Sequence, residues 1–188
     1  MNRRQWFTIA LPLAAGTAAL IATDEQAAKG LPNTEDQIKW SQRVSNLGAA
    51  YTLGGMVGGT MLVGWKAQKP EVFDLGRSSA RALADSIIIN YALKFAFARE
   101  RPLENDGQGR FWKGSDGFPS GHAMDSWAVA MVVARNRKTP TWLKVTSITL
   151  ATAVSLSRVG VRRHFPSDVL VGSVLGGLIG NYVATHPR

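Results

Sequence analysis

The sequence predicts an all-α protein, a bundle of about six helices that is transmembrane in its leading reading. Three observations carry that prediction. Apolar stretches with few charges recur at residues 7–22, 47–65, 82–98, 121–134, 142–157 and 167–184. No stretch alternates apolar and polar residues in the manner of a half-buried strand. Small residues stand four apart in two of the stretches (Gly54 and Gly58, Gly55 and Gly59; then Gly172, Gly176 and Gly180), a spacing that lets helices pack backbone to backbone. At 188 residues the chain reads as one domain, 1–188, long enough to build its own core.

The first stretch follows Met1-Asn2-Arg3-Arg4 and ends before Asp24-Glu25. A basic start before an apolar run also describes a signal peptide, but small residues suited to cleavage are poorly placed. Residues 1–22 are therefore read as a retained first transmembrane helix, with cleavage near residue 22 as the alternative. Residues 23–46 are polar, and Asn33 or Thr34 is placed to cap a short amphipathic helix through Trp40 and Val44. Leu47–Trp65 is glycine-rich and uncharged, and Lys66–Arg81 reads as a basic connector. Residues 99–121 form a loop dense in Gly, Pro, Asp and Asn. Pro166-Ser167 reads as the start of the last helix, with Ser167 its N-cap and Asp168 in its first turn.

Charge gives the bundle a direction. With six crossings and a cytoplasmic N-terminus, Arg3, Arg4, Lys66, Lys69, Arg77, Arg81, Arg135, Arg137, Lys138, Lys144 and Arg188 fall on the inner side, opposed by Glu71 and Asp74. The 99–121 and 158–167 loops then fall on the outer side. Two features pull the other way: several stretches are shorter than the ~20 residues of a full span, and the mean hydropathy is near zero.

The net charge of +9 suits nucleic acid, anionic lipid or an anionic substrate. No zinc finger or RNA-binding signature is present, so nucleic acid is not expected as a partner. The chain has no cysteine, and its three histidines, His122, His164 and His186, show no metal-ligand spacing, so no metal is expected.

Three short patterns stand out. Lys94 and Arg101 are seven residues apart, on one helical face if the helix persists, with Pro102 after them. A lysine inside an apolar helix is costly unless paired, although it can snorkel at a membrane edge. Pro119-Ser120-Gly121-His122 opens a helix: Ser120 suits an N-cap, Gly121 lets an oxyanion approach free N–H groups, and His122 sits in the first turn. Finally, Ser157-Arg158 precedes Arg162, Arg163, His164 and Asp168, a histidine among cations with a carboxylate four residues on. Taken singly, each pattern also fits a capped helix, a solvated basic loop or a structural His–Asp pair.

Together the three blocks read K-x6-R-P, P-S-G-H and S-R-x5-H-x3-D in that order. In this the chain resembles the type 2 phosphatidic acid phosphatase superfamily, which also holds bacterial class A acid phosphatases and vanadium haloperoxidases. The motifs span residues 94–168 without departure. The resemblance implies that His164 is the nucleophile and forms a phosphohistidine. It implies that Asp168 orients His164 through its other ring nitrogen and that His122 is the general acid. Lys94, Arg101, Ser120, Gly121 and Arg158 would bind the phosphoryl oxygens. No cofactor is expected, and vanadate should bind as a phosphate analogue.

The leading expectation is a phosphatase of the cell membrane, multi-pass, with its site at the outer face. Its substrate would be a phosphorylated lipid: phosphatidic acid, phosphatidylglycerol phosphate or a polyprenyl (pyro)phosphate. A soluble exported acid phosphatase is the alternative, followed by a vanadium haloperoxidase and a non-catalytic lipid-binding protein. Oligomeric state is not readable. Among the neighbours, Asp125, Asp85 and Asn90 are expected to be polar helix contacts. Arg162 and Arg163 are read as headgroup-attracting or solvated, Arg99 and Glu100 as locally paired or facing water, and His186 is assigned nothing.

Overall fold

A computed structural model of the chain describes residues 3–32 and 34–186, without the side chains of residues 3–7, 9 and 10. Asn33 as a cap and Arg188 in the charge count lie outside the described residues, and the side chains of Arg3 and Arg4 are likewise not described. These residues form seven helices and no strand: α1 (Arg3–Gly30), α2 (Glu35–Leu47), α3 (Ala50–Lys66), α4 (Pro70–Phe97), α5 (Gly121–Arg135), α6 (Thr141–Gly160) and α7 (Pro166–Thr185). Six correspond to the apolar stretches; the seventh is the amphipathic α2, whose N-cap Thr34 accepts from the Gln37 N–H.

The centre of the bundle is α5, packed on α7, α6 and α4. The α5–α7 pair meets backbone to backbone. A Cβ on Gly172 would lie 2.6 Å from the Ser120 carbonyl oxygen, and Cβ atoms on Gly176 and Gly180 would overlap the carbonyls of Met124 and Ala128. The predicted small-residue seam of α7 is therefore real, and it holds the Ser120 end of α5 against the Asp168 end of α7. The seam expected on α3 is not found: Gly54, Gly55, Gly58 and Gly59 face open space. The glycines joining α3 to α4 are Gly64, under the Phe73 backbone, and Gly76, under Met61.

Three boundaries differ from expectation. Helix α1 runs on to Gly30, eight residues past the expected end at residue 22. Residues 66–81 are not a connector throughout, because α4 starts at Pro70. Proline fits a first helical position, and Glu71 in the first turn favours the helix N-terminus. Arg77 pairs with Asp74 at 3.1 Å, so the charges there clothe a helix extension. At the other end, α6 continues to Gly160, which puts Arg158 in its last turn rather than in a loop.

Among the described residues one helix, Pro166–Thr185, is long and apolar enough to cross a membrane alone; Glu35–Leu47 and Ala50–Lys66 pass together as a pair bent by 41°.

Candidate active site

The successive helices α4 to α7 alternate in direction, so the three motifs meet at one end of the bundle. Lys94 occupies the last turn of α4, Ser120 to His122 open α5, Arg158 closes α6 and Asp168 lies in the first turn of α7. His164 sits between the last two, in the five residues that join α6 to α7. His122 lies within charge–charge range of Arg158, His164, Lys94 and Arg101. The sequence-predicted cations and imidazoles therefore share one location.

Helix α4 does not persist to Arg101. It ends at Phe97, with Ala98 left-handed at φ 42°. The loop folds back over this end: Trp112 N–H donates to the Phe97 carbonyl, Lys113 N–H to that of Ala98, and Glu100 N–H to that of Arg110. The rings of Phe97, Phe111 and Phe118 pack edge-on beneath it. Lys94 and Arg101 still converge, on Asp116. Arg101 grips that carboxylate through two N–H···O contacts of 2.8 and 2.9 Å, Lys94 Nζ lies 3.7 Å from Oδ2, and Lys94 also donates to the Asp116 carbonyl. The hydrogen bonds from Arg101 hold the Asp116 carboxyl down at about 2. An internal anion thus lies against two of the cations assigned to substrate phosphate.

Ser120 precedes α5 but makes no side-chain cap bond. Its hydroxyl is buried and unpartnered among the described residues, as is the Nε of Arg158. Gly121 packs with its Cα face 3.1 Å from Asn90 Oδ1, measured to where a Cβ would stand. Asn90 also donates to the Pro119 carbonyl at 3.4 Å, so α4 steadies the start of α5. Asp125 accepts from Ser86 at 2.6 Å and is the helix contact expected of it. Arg158 donates to Ser45 on α2, and Gly160 packs over Ser41, which carries α2 to the rim of the site.

His164 is buried, and burial pushes its imidazole below the ordinary histidine range, against the opposing pull of Asp168. Its Nδ1 lies 2.7 Å from the Gly117 carbonyl oxygen. A carbonyl only accepts, so Nδ1 carries the proton and Nε2 keeps its lone pair. Asp168 Oδ2 stands 3.7 Å from Nδ1, beyond hydrogen-bonding length, and accepts the Phe165 N–H at 2.8 Å instead. The expected tautomer is held by Gly117, with Asp168 as an electrostatic neighbour. Ser167 is not the N-cap of α7: Phe165 takes that place, and the Ser167 hydroxyl turns to Asp24.

Residues 77–187 match the PAP2 superfamily. The chain belongs to this family. Among PAP2 relatives, a lipid A 1-phosphatase of Porphyromonas gingivalis is 34% identical over 89 residues, covering 46% of this chain and 18% of that one. A decaprenylphosphoryl-5-phosphoribose phosphatase of Mycobacterium tuberculosis is 36% identical over 66 residues, covering 35% and 34%. The match thus spans 18% and 34% of the length of these two curated relatives. In fold, the chain is similar to the transmembrane PAP2-type phosphatidylglycerolphosphate phosphatase of Bacillus subtilis, with TM-score 0.69, 24% identity and 92% of both chains covered. It is also similar to LpxE of Aquifex aeolicus, with TM-score 0.66, 18% identity, 88% of this chain and 94% of that one.

Within this PAP2 fold, sequence reasoning missed Asp24, Ser45, Arg99, Asp116 and Gly117. Arg99, expected to pair locally or face water, is 1% exposed and reaches Asp24 and Asp168. Glu100 is buried too, and pairs with Arg110 at 3.0 Å. Asp24 read as the polar boundary of an apolar run, and Arg99 as an unspecified position between Lys94 and Arg101. Their pairing is long-range and leaves no periodic trace.

Proposed function

We propose that the protein is a phosphatase of membrane lipid phosphates that works through a phosphohistidine. The observation that carries the reading is the meeting of Lys94, Arg101, His122, Arg158 and His164 at one end of the bundle, beside an unpartnered Ser120 hydroxyl. Phosphoryl transfer depends mainly on positioning and charge stabilisation, and fixed cations around the equatorial oxygens supply both.

The Nε2 lone pair of His164 attacks phosphorus while the bond to the ester oxygen breaks. His122 protonates the departing alkoxide. In the second half, His122 takes a proton from water, the oxygen attacks phosphorus, and the N–P bond breaks to release inorganic phosphate and restore His164. Each imidazole ends as it began, so the cycle balances as ester plus water giving alcohol plus phosphate. Gly117 keeps Nδ1 protonated throughout. Lys94, Arg101 and Arg158 bind the phosphoryl oxygens after Asp116 gives way.

A lipid substrate is supported from three sides. The relatives are named as lipid A and decaprenylphosphoryl-5-phosphoribose phosphatases. Large apolar side chains face outward on many helices, including Met56, Leu62, Ile88, Phe95, Val145 and Leu156. Exposed aromatics stand at both ends of the bundle: Tyr91 and Phe95 within a turn of Lys94, and Trp65, Trp142 and Tyr182 at the other end. This belt and the charge asymmetry favour a multi-pass protein with its site at the outer face.

The test is a substrate panel in detergent, with phosphatidic acid, phosphatidylglycerol phosphate and a polyprenyl phosphate beside p-nitrophenyl phosphate, and His164→Ala as control. Lipid phosphates should be hydrolysed with the higher kcat/KM, and the variant should release no phosphate. Equal rates for the variant and the wild type would refute the reading.

A further inference from the structure

We propose that Asp24 and Arg99 are positioning residues for the nucleophile, acting on His164 through Asp168. The inference rests on the phosphohistidine reading above and extends it to a residue of α1, far from the three motifs.

Arg99 is enclosed on every side. Its Nε donates to the Gly109 carbonyl at 2.9 Å, one terminal nitrogen to Ser167 Oγ at 2.7 Å and to Asp168 Oδ1 at 2.5 Å, and the other to Asp24 Oδ2 at 2.8 Å. The rings of Phe111 and Phe165 cover its two faces, 4.7 and 4.5 Å from the guanidinium carbon. Asp24 is equally enclosed: it accepts the Ser167 N–H at 3.1 Å and the Ser167 hydroxyl as well as Arg99. Arg99, Asp24 and Asp168 are each no more than 1% exposed.

This arrangement has two consequences for Asp168. The first is geometric. One oxygen is taken by Arg99 and the other by the Phe165 N–H, so the carboxylate cannot swing to His164. It stays 3.7 Å from Nδ1, and the Gly117 carbonyl keeps the ring proton. The second is electrostatic. One guanidinium shared by two carboxylates leaves a net negative charge behind the imidazole. As Nε2 bonds to phosphorus the ring becomes positive, and that residual charge stabilises it in a site shielded from water. Without Asp24, Arg99 would neutralise Asp168 alone and the stabilisation would be lost. A buried carboxylate–guanidinium–carboxylate cluster is a weak device for stability, because desolvation offsets the attraction. Stabilising the charge that develops on a reacting ring is a use that suits it.

The other charged groups facing His164 are Arg158 and Lys94 from α6 and α4, Asp116 from the loop, and His122 from α5. None of them contacts Asp24, so a substitution there changes only the side of the ring away from phosphorus.

The experiment compares full-length wild type, Asp24→Asn and Asp24→Glu in detergent, measuring kcat and KM across pH 4–9 and the inhibition constant for inorganic phosphate. Asp24→Asn should lower kcat by about 10- to 100-fold while the phosphate inhibition constant stays within twofold. The acid limb of kcat/KM should move to lower pH by about one unit, because a less negative neighbour disfavours the imidazolium. Asp24→Glu, which keeps the charge, should recover most of the rate and the original limb. If Asp24→Asn does not fold, Arg99→Lys carries the test: it keeps the charge but loses the fork, so kcat should fall with phosphate inhibition intact. A kcat and a limb unchanged in Asp24→Asn, or an unchanged kcat in Arg99→Lys, overturns the proposal. A wild type inactive on every phosphomonoester overturns the phosphatase reading instead, so the two failures are distinguishable.

Discussion

The ring proton of His164 points at Gly117: Nδ1 lies 2.7 Å from that carbonyl oxygen, in a loop that Gly117 itself ties to Arg99 by an N–H···O bond of 2.8 Å. No side chain fits at Gly117, since a Cβ would stand 2.8 Å from the carbonyl oxygens of both Arg99 and Glu100. Gly117→Ala should therefore push the loop away and release the imidazole. We expect kcat to fall by at least about 10-fold with KM less affected. Steady-state kinetics on p-nitrophenyl phosphate checks this, and an unchanged kcat would show that the ring is held by something else.

His122 can be separated from His164 by the leaving group. A general acid matters most when the departing alkoxide is a strong base. His122→Ala should slow a lipid phosphate, whose leaving group is an alkoxide, by about 10²–10⁴-fold, and p-nitrophenyl phosphate much less. His164→Ala should abolish both. Equal losses on the two substrates for His122→Ala would remove it from the proton-transfer role.

The pH profile follows from which groups titrate. One imidazole must be neutral and the other protonated, so kcat/KM should be bell-shaped. Burial lowers His164, so the acid limb should fall below the ordinary histidine value of about 6.5. Asp116 contributes no limb. Its carboxyl is depressed from 3.8 to about 2, so its contacts with Arg101 are fully present above the unfolded value and are lost only as pH falls through about 2. A flat profile from pH 4 to 9 would count against the roles given to the two histidines.

On the proposed function, Asp116 is a competitor of substrate for Arg101 and Lys94. Its carboxylate holds Arg101 in the geometry that a phosphoryl oxygen pair would take. Asp116→Asn should tighten inhibition by inorganic phosphate or vanadate severalfold, read from inhibition constants at fixed ionic strength. Weaker inhibition would make Asp116 an organiser of the cations instead of a competitor for them.

The α5–α7 seam is testable through stability. Gly176→Ala places a methyl group against the Met124 carbonyl and should cost about 1–3 kcal/mol, whereas Gly58→Ala enters open space and should stay within about 0.5 kcal/mol of wild type. Thermal unfolding in detergent compares the two. Equal shifts would mean that the close approach of the helices is not what holds the site together.

Much of this was legible in the chain because it is local. Helix existence follows from apolar stretches, the α7 seam from Gly172, Gly176 and Gly180, and the meeting of the motifs from the alternating direction of short-looped helices. What was not legible depends on contacts between distant segments or on backbone geometry. Gly54 and Gly58 have the spacing of Gly172 and Gly176, but spacing cannot say which helix faces have a partner. Charges at Asp74 and Arg77 looked like a connector because a solvated helix extension has the same composition. Arg99 looked solvent-facing because its two acidic partners lie on α1 and α7. The tautomer of His164 depends on a backbone carbonyl, which no side-chain motif encodes.

The central claim is that these separated residues form one anion site with His164 as its nucleophile. The most direct measurement is rapid acid-free quenching of the enzyme during turnover of a radiolabelled phosphomonoester, followed by mapping of the labelled peptide. The account predicts an acid-labile, base-stable label on His164 that is missing from His164→Ala. Label on another residue, or full turnover with no covalent label on a time course fast enough to trap it, would contradict the account.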